Sequence, residues 1–361
     1  MKINLVMIVK NEERSLERCL KAAKPLVDAI IVVDTGSEDK TREIAEELGA
    51  QVLSFSWVND FSAARNFALD HSDGDWNLIL DGDEYLRPCS RKKLERAVKA
   101  LEERSQPWLG GLLRYDAYQD DEGISTSTSV LPRFLPRGVR YTGRIHEQPK
   151  GDYPCYSLPL EADHDGYLYA DKGERNLPYL LEVAKEEPED GYYQFQLAST
   201  LRNLKRLEES LPYFRSFYRL SQSKEAYRPG GVVLYLYTLL DVGTNACLDE
   251  AAAVVEQEEE ALGGWSDFCF VCGLFYMKRV LSHVEKYISL LPRIESSYQK
   301  CLKLGERPEL GGVVGTGSFK AAYNLGAWYE VSGQRDLAVK YYRIAAGAGY
   351  APAKERLKQV L

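Results

Sequence analysis

The chain has 361 residues, too many for one ordinary hydrophobic core, and this length predicts about two to three domains. Apolar residues at 45% and charged residues at 28% indicate a soluble globular protein, and we expect a cytoplasmic location with no membrane span and no signal peptide. A net charge of -8 excludes a strong general attraction to phosphate backbones, so nucleic acid is not an expected partner.

Residues 1 to about 108 alternate between short apolar runs and segments with helical periodicity. The predicted strands are, in chain order, INLVMIV, AIIVVD, QVLSFSW and WNLIL. The predicted helices between them cover residues 11–23, about 39–48 and 62–71. Strands separated by helical segments of about 10 to 15 residues predict βαβ units with a parallel sheet. Shorter β-like pieces between about 108 and 160 predict strands that return beside this sheet.

Polar segments follow the predicted strands at the point where each strand ends. They are MIVKNE (7–12), VVDTGSEDKT (32–41), NDFSAARNFA (59–68) and LDGDE (80–84). Because ligands of open α/β sheets bind outside the carboxyl ends of the strands, we expect all of them to face one edge. Asp81 and Asp83 there offer the hard oxygen ligands that suit Mg²⁺ or Mn²⁺ beside substrate phosphates. A solvated Asp-Gly turn is the alternative interpretation.

With these segments, roughly residues 1 to 170 resemble family 2 glycosyltransferases of the GT-A fold, which move a sugar from a nucleoside diphosphate to an acceptor. The resemblance implies an α/β fold with a Rossmann-like mixed sheet. It also implies that Asp34 binds uracil, that Asp81 lies near the ribose and that Asp83 holds the metal between the two phosphates. Thr35 stands where the family's DDGS turn has its second aspartate, which weakens any role for that position.

The remaining candidate site residues lie on the predicted third helix and in later loops. Arg65 and Asn66 would supply a permanent cation and a two-way amide beside the donor, and a surface ion pair is the alternative for Arg65. His164 resembles the histidine that completes the metal shell in several GT-A enzymes. Either a structural histidine or a loop residue is the alternative for this position.

An inverting transfer needs a group that removes the acceptor proton on the face opposite the leaving nucleotide. Glu147 is the candidate general base, with His146 beside it as a second candidate catalytic residue. Asp163 and Glu84 are further alternatives for this role. The alternative to a catalytic role is that His146 and Glu147 only stabilise the loop in which they lie.

After about residue 173, apolar residues recur at spacings of three and four, which predicts a helical domain over 173–361 behind an α/β domain over 1–172. The segments 194–217 and 323–349 share the tetratricopeptide (TPR) spacing of small and large residues. The matched positions are Leu197, Ala198, Leu201, Ser210, Phe214 and Phe217 in the first segment and Leu325, Gly326, Tyr329, Ala338, Tyr342 and Ala345 in the second. The segments 232–257 and 272–305 resemble degenerate units, the latter lengthened by about nine residues.

Cysteine use indicates reduced thiols, because the seven cysteines are odd in number and scattered. Cys269 and Cys272 form a CxxC in the apolar run FCFVCGLFYM. We predict two core cysteines there, with zinc or redox chemistry as the alternative.

A GT-A domain followed by TPR-like repeats resembles bacterial peptide glycosyltransferases of the glycocin type. The resemblance implies a metal-dependent, inverting enzyme that uses Mn²⁺ or Mg²⁺ to transfer a hexose from a UDP-sugar to a Cys or Ser/Thr side chain of a peptide or protein. Alternatives are a cell-surface glycan or lipid-linked acceptor, a nucleotidyltransferase, or an inactive TPR scaffold. The glycine-rich basic loop of a nucleotidyltransferase is missing from MIVKNEERSL.

The 24 tyrosines, many of them in the second half, allow two uses of the repeats besides helix packing. They could grip an extended peptide through aromatic contacts, or the repeat domain could form a homodimer interface.

Overall fold

A computed structural model of the chain describes residues 1–104, 106–120, 123–169 and 172–360. The chain divides into two compact units, one formed by Met1–Asp120 and Thr126–Lys172 and the other by Asp121–Ser125 and Gly173–Leu361. The first unit mixes strands and helices, whereas the second is mostly helical. The predicted fold class, an α/β part followed by an α part, is confirmed.

The strands and helices of the first unit alternate as far as its fourth strand. The strands are β1 (Ile3–Val9), β2 (Ala29–Asp34), β3 (Gln51–Ser54), β4 (Trp76–Ile79), β5 (Glu84–Leu86), β6 (Leu109–Asp120), β7 (Gly123–Pro136), β8 (Tyr141–Thr142), β9 (Gln148–Pro149) and β10 (Cys155–His164). The helices are α1 (Leu16–Ala23), α2 (Thr41–Glu47), α3 (Phe61–Asp70), α4 (Arg91–Glu102) and α5 (Gly166–Tyr169).

One mixed sheet runs through the first unit in the order β3-β2-β1-β4-β7-β6-β10-β5. Strands β1 to β4 are parallel to one another, β7 runs antiparallel to β4, and β10 is parallel to β6 but antiparallel to β5. Because β1 to β4 share one direction, the segments that follow them meet at one carboxyl edge, as the sequence predicted. Strands β8 and β9 form a separate two-stranded ribbon.

Both faces of the central strand β1 are covered, which explains its unbroken apolar run. Leu5 and Met7 belong to one buried cluster together with α1, while Val6 belongs to another that includes Ile79 on β4. The boundaries of some elements differ from the prediction. Helix α1 begins at Leu16, since the preceding residues form a turn in which Ser15 and Leu16 donate backbone hydrogen bonds to Glu12. Strand β3 ends three residues early, at Ser54.

The second unit is a succession of packed helices. They are α6 (Lys172–Glu186), α7 (Gly191–Asn203), α8 (Leu207–Leu220), α9 (Arg228–Val242), α10 (Asn245–Leu262), α11 (Ser266–Ser282), α12 (Val284–Tyr287), α13 (Leu291–Leu304), α14 (Phe319–Val331), α15 (Arg335–Gly347) and α16 (Ala351–Val360), with a two-residue strand, β11 (Gly312–Val313), before α14. Helix α7 packs on α8, α9 on α10, α11 on α13, and α14 on α15. The short helix α12 and a 3-10 turn after it account for the extra length of the third pair.

All twelve positions that matched the TPR spacing are buried. The small residues among them let paired helices approach closely. A Cβ atom at Gly326 on α14 would lie 2.8 Å from Cδ1 of Tyr342 on α15, so a larger residue would force the pair apart. Cys269 and Cys272 are both buried in α11 with free thiols, as predicted for core cysteines. In the described part of the chain, no helix combines the length and the apolar character that crossing a bilayer requires.

A buried carboxylate joins α11 to the loop before α14. Asp267, in the first turn of α11, accepts hydrogen bonds from the backbone N–H of Val313 (2.7 Å) and the hydroxyl of Thr316 (2.9 Å). Burial raises the pKa of Asp267 to about 6, because desolvation of the charged form outweighs these two hydrogen bonds. The group therefore binds its proton more tightly in the folded chain than in the unfolded chain.

We expect the contribution of Asp267 to the stability of this unit to decline as pH rises from about 4 to about 7, since a raised pKa contributes stability that is lost once the group ionises. Asp267→Asn removes the titration and should gain up to roughly 3 kcal/mol over wild type across this range, because a tenfold change in proton affinity is worth about 1.4 kcal/mol. Urea unfolding at pH 4.5 and 7.5 measures this difference. Asp336→Asn, an exposed carboxylate in the first turn of α15, is the matched control. Equal pH dependence in wild type and Asp267→Asn would contradict the expectation.

Candidate active site

The two predicted metal-site carboxylates lie in a tight turn between β4 and β5. The backbone N–H of Glu84 donates to the carbonyl of Asp81 (3.1 Å), and the N–H of Asp81 donates to Oε2 of Glu84 (3.1 Å). A Cβ atom at Gly82 would lie 2.8 Å from Cγ of Glu12, so glycine lets the turn pack against the segment that follows β1. The turn buries Asp83 at 3% exposure and leaves the side chain of Asp81 34% exposed.

Two arginines hold the carboxylate of Asp81, one on each oxygen. Nη2 of Arg65 lies 2.6 Å from Oδ1, and Nη2 of Arg133 lies 2.6 Å from Oδ2. Arg65 comes from α3, while Arg133 comes from β7, the strand beside β4. Burial lowers the pKa of Arg65, but the charges of Asp81 and Glu147 raise it well above its ordinary value. Both guanidinium groups are therefore fixed cations within the site.

Glu84, the first residue of β5, lies between two arginines. Its side chain is 0% exposed, and its Oε1 accepts hydrogen bonds from Arg133 (2.7 Å) and Arg114 (2.8 Å). Since Oε2 accepts from the backbone of Asp81, both oxygens serve structural contacts. This geometry does not suit Glu84 for the general-base role that the sequence left open.

His164 ends β10 and faces the second carboxylate of the pair. Its Nε2 lies 3.4 Å from Oδ2 of Asp83, and its Nδ1 lies 2.7 Å from Oδ1 of Asp116 on β6. The register pairs His164 with Glu84 of β5 on one side and with Asp116 on the other. Asp163 is the neighbouring residue on β10, so its side chain points to the opposite face, where it accepts hydrogen bonds from Arg87.

The pKa values of this buried pair reflect their mutual contact. Burial lowers the pKa of His164, but its hydrogen bonds to Asp116 and Asp83 raise it above its ordinary value. Burial raises the pKa of Asp116, whereas His164 and Arg114 lower it by more, so Asp116 stays ionised at neutral pH.

Glu147 lies in the loop between β8 and β9, and α3 holds this loop against the sheet edge. Nε of Arg65 donates to Oε1 of Glu147 (2.6 Å), so the same guanidinium bridges Glu147 and Asp81. Asn66 exchanges two hydrogen bonds with the backbone of Tyr141, its amide donating to the carbonyl (2.9 Å) and its oxygen accepting from the N–H (2.8 Å). The roles assigned to Glu147 and Asn66 stay predictions.

The two remaining candidates, Asp34 and His146, lie along the carboxyl edge of the sheet or next to it. Asp34 ends β2 and is buried, and it accepts hydrogen bonds from the backbone N–H groups of Gly36 and Ser37 in the following turn. His146 precedes Glu147 with a φ of 50°, a left-handed conformation uncommon outside glycine. The uracil contact of Asp34 and the catalytic contribution of His146 stay predictions as well.

These contacts form one continuous sequence of alternating charges, which we call the ion-pair chain. Its members, in spatial order, are Glu147, Arg65, Asp81, Arg133, Glu84, Arg114, Asp116, His164 and Asp83. Five carboxylates face three guanidinium groups, so the net charge is -2 when His164 is neutral. A divalent cation would neutralise this excess.

The side chains at the Asp83 end of the ion-pair chain supply only part of the ligand shell of such a cation. Among the described residues, no group of three or more His, Cys, Asp or Glu side chains is arranged to hold a metal ion. Asp83 and His164 supply one carboxylate oxygen and one imidazole nitrogen, a pair that suits Mn²⁺. Water and substrate phosphates would have to complete the shell, as they commonly do for Mg²⁺ sites.

Sequence reasoning missed Arg114, Asp116 and Arg133. Arg133 meets Asp81 across 52 residues and Arg114 meets Glu84 across 30, so no local motif connects them. A signal was nonetheless present, because charged residues that interrupt an otherwise apolar strand next to a predicted carboxylate site are candidates for facing it.

Arg133 should be important for stability as well as for the site. We expect Arg133→Met to lower the free energy of unfolding by roughly 3 to 5 kcal/mol, because it leaves Asp81 and the fully buried Glu84 short of a partner. Urea unfolding followed by circular dichroism measures this loss. Arg140→Met is the matched control, because Arg140 pairs with the exposed Asp70, and it should cost less than about 1 kcal/mol. Similar stability of Arg133→Met and wild type would contradict the importance of the buried contacts.

Part of the first unit is similar to a known protein family. Residues 5–142 match the family model described as glycosyl transferase family 2. An uncharacterized glycosyltransferase of Rickettsia bellii is 41% identical over 134 residues, which cover 37% of this chain and 42% of that protein. The SPbeta prophage-derived glycosyltransferase SunS of Bacillus subtilis is 26% identical over 223 residues, or 58% of this chain and 51% of that protein.

A TPR repeat-containing protein of Synechococcus elongatus is 52% identical over 84 residues, which cover 23% of this chain and 21% of that protein. The matches thus span about half or less of the length of these relatives. The family match covers strands β1 to β4 together with Asp34, Arg65, Asn66, Asp81 and Asp83. Residues 5–142 of this chain are therefore similar to glycosyl transferase family 2.

Proposed function

We propose that this chain is a metal-dependent, inverting glycosyltransferase that moves a hexose from a UDP-sugar to a side chain of a peptide or protein. In this proposal residues 1–172 form the catalytic GT-A domain and residues 173–361 form a TPR-like domain. The observation that carries the proposal is the buried contact of Asp83 with His164 at the carboxyl edge of a family 2 sheet. This contact ends an ion-pair chain with an uncompensated charge of -2 when His164 is neutral.

Asp83 and His164 would hold Mn²⁺ or Mg²⁺ in this site. When bound, such a cation supplies positive charge that stabilises the departing diphosphate. Both side chains are buried, so their interaction with a cation would be screened less than that of exposed groups. Asp81, which is more exposed than Asp83, remains accessible to the ribose side of a donor.

The donor would be oriented by groups on the same edge. Asp34, at the end of β2, is the proposed acceptor for the uracil N–H, and its present contacts with Gly36 and Ser37 fix the orientation of its carboxylate. Arg65 would place a permanent positive charge beside the donor. Asn66 would act mainly by anchoring Tyr141, which holds the loop before Glu147 close to the donor site.

Glu147 is the proposed general base. Arg65 already binds its Oε1, so Oε2 would accept the proton from the acceptor hydroxyl or thiol as the acceptor attacks the anomeric carbon. The bond from the anomeric carbon to the diphosphate oxygen breaks in the same step, and the diphosphate leaves with that electron pair. His146 would position this loop through its left-handed backbone.

A peptide or protein acceptor is supported by the combination of a family 2 domain with paired helices. Stacked helical pairs provide extended surfaces that suit flexible chains. Similarity to SunS, a protein named as a glycosyltransferase, agrees with the transferase part of the proposal. If the acceptor were a glycan or a lipid, or if the chain were a helical scaffold without activity, no hexose would be transferred to a peptide.

Nucleotide binding should depend on metal through Asp83. We expect wild-type protein to bind UDP at least about tenfold more tightly in Mn²⁺ than in EDTA, and Asp83→Asn to lose this difference, because the cation links the protein to the diphosphate. Isothermal titration calorimetry measures both affinities. Asp75→Asn, an exposed carboxylate at the other end of β4, is the matched control and should behave as wild type. Equal UDP affinity of wild type in Mn²⁺ and in EDTA would contradict metal dependence.

Glu147→Gln should separate binding from chemistry. The amide keeps an oxygen for Arg65 but cannot accept the acceptor proton, so we expect transfer to fall by about 10² to 10⁴ while UDP binding stays within about threefold of wild type. Glu161→Gln, an exposed glutamate on β10, is the control. Unchanged transfer by Glu147→Gln would assign the base elsewhere.

The activity itself is tested by offering UDP-hexoses with Mn²⁺ to peptides that contain either cysteine or serine and threonine, and recording intact masses. The proposal predicts a mass gain of one hexose on a peptide, lost in EDTA. Sugar transfer only to glycan or lipid acceptors would support the alternative acceptor class. Absence of both UDP binding and transfer would favour the scaffold.

A further inference from the structure

The buried carboxylate of Asp116 contacts the ring nitrogen of His164 that lies away from Asp83. Asp116 on β6 and His164 on β10 are register partners, and both side chains are almost fully buried. Oδ1 of Asp116 lies 2.7 Å from Nδ1 of His164. The opposite ring nitrogen, Nε2, is the one that faces Asp83.

Two further residues, Arg114 and Ser129, contact the carboxylate of Asp116. Nε of Arg114 lies 2.8 Å from its Oδ1, and the hydroxyl of Ser129 donates to its Oδ2 at 3.3 Å. Arg114 also binds Glu84, which closes the turn that carries Asp81 and Asp83. The orientation of the His164 ring is therefore coupled to the turn through rigid, buried contacts.

We propose that Asp116 is a positioning residue that fixes the tautomer and the direction of His164 for a cation shared with Asp83; this inference rests on the proposed function. A carboxylate that accepts the Nδ1–H of an imidazole keeps the proton on that nitrogen, so the lone pair remains on Nε2. The ring then presents a neutral nitrogen ligand toward Asp83 without rearrangement. Loss of such a supporting partner typically weakens metal affinity about 10- to 100-fold.

The opposite face of β10 provides a matched control. Asp163 is the residue before His164, and it also pairs with a basic residue, since Nη2 of Arg87 lies 2.7 Å from its Oδ1. Its register partner on β6 is Tyr115, the neighbour of Asp116. Replacement of Asp163 thus perturbs the same two strands without touching the contact to Nδ1.

The first experiment measures Mn²⁺ affinity of the full-length chain in the presence of UDP. We expect Asp116→Leu to weaken Mn²⁺ binding about 10- to 100-fold. Asp116→Asn should weaken it less, because the amide oxygen can still accept a hydrogen bond from Nδ1–H. Asp163→Asn should bind Mn²⁺ as tightly as wild type. Asp116→Leu that binds Mn²⁺ as tightly as wild type would overturn the inference and leave the proposed function standing. Wild-type protein that shows no Mn²⁺-dependent UDP binding would overturn both.

The second experiment reads the tautomer directly and needs neither metal nor activity. The chain has only four histidines, so ¹⁵N-histidine NMR at pH 8.5 can be assigned through the signal lost in His164→Gln. We expect the Nδ1–H form in wild type and Asp163→Asn, and a shift toward the Nε2–H form in Asp116→Leu. The shift should be smaller in Asp116→Asn, because its amide oxygen can still accept a hydrogen bond from Nδ1–H. An Nδ1–H signal that is unchanged in both Asp116 variants would contradict a role for Asp116 in fixing the ring.

Discussion

Mutual neutralisation of buried charges organises the carboxyl edge of the sheet. Arg65, Arg133 and Arg114 each lie between two carboxylates, and each guanidinium is mostly removed from water. Such groups are costly to bury alone, so each partner holds the next in a defined position. Because the members come from α3, β5, β6, β7, β10 and the turns beside them, the ion-pair chain also ties these elements together. A site built this way is preorganised, since its charges are oriented before a substrate arrives.

The arrangement also explains why the carboxylates of Asp81 and Asp83 differ. Asp81 is already bound by two arginines, while Asp83 faces a histidine whose charge depends on pH. Permanent positive charge is thus concentrated at Asp81, whereas the charge beside Asp83 depends on the protonation of His164. In the proposed enzyme this asymmetry directs a divalent cation to Asp83 and leaves the guanidinium groups on the side of Asp81.

Much of the fold was predictable from local patterns. Strands β1 to β4 have apolar runs of the right length, and their polar ends identified the edge where Asp34, Asp81 and Asp83 lie. The TPR spacing identified buried positions in α7, α8, α14 and α15 because each helix repeats the same small-and-large contacts with its partner. Helix α4 could have been predicted in the same way, since its buried Leu94 and Val98 are four residues apart.

The rest depended on contacts that sequence proximity does not reveal. Strand β10 shifts its register with β6 between Ser157 and Glu161, and this irregularity obscures the alternation expected of a strand. Arg133 is distant in sequence from Asp81, and Asp116 is distant from His164. A single charged residue on a strand is predicted to face solvent until the neighbouring strand is known. Pairing of β7 with β4 and of β6 with β10 is what turns these charges into parts of the site.

Anomalous diffraction from crystals grown with UDP and Mn²⁺ would locate the cation. We expect one manganese ion bound by a carboxylate oxygen of Asp83 and by Nε2 of His164, with diphosphate oxygens completing its shell. A manganese ion bound at a different place, or UDP bound at this edge without any ion, would contradict this expectation.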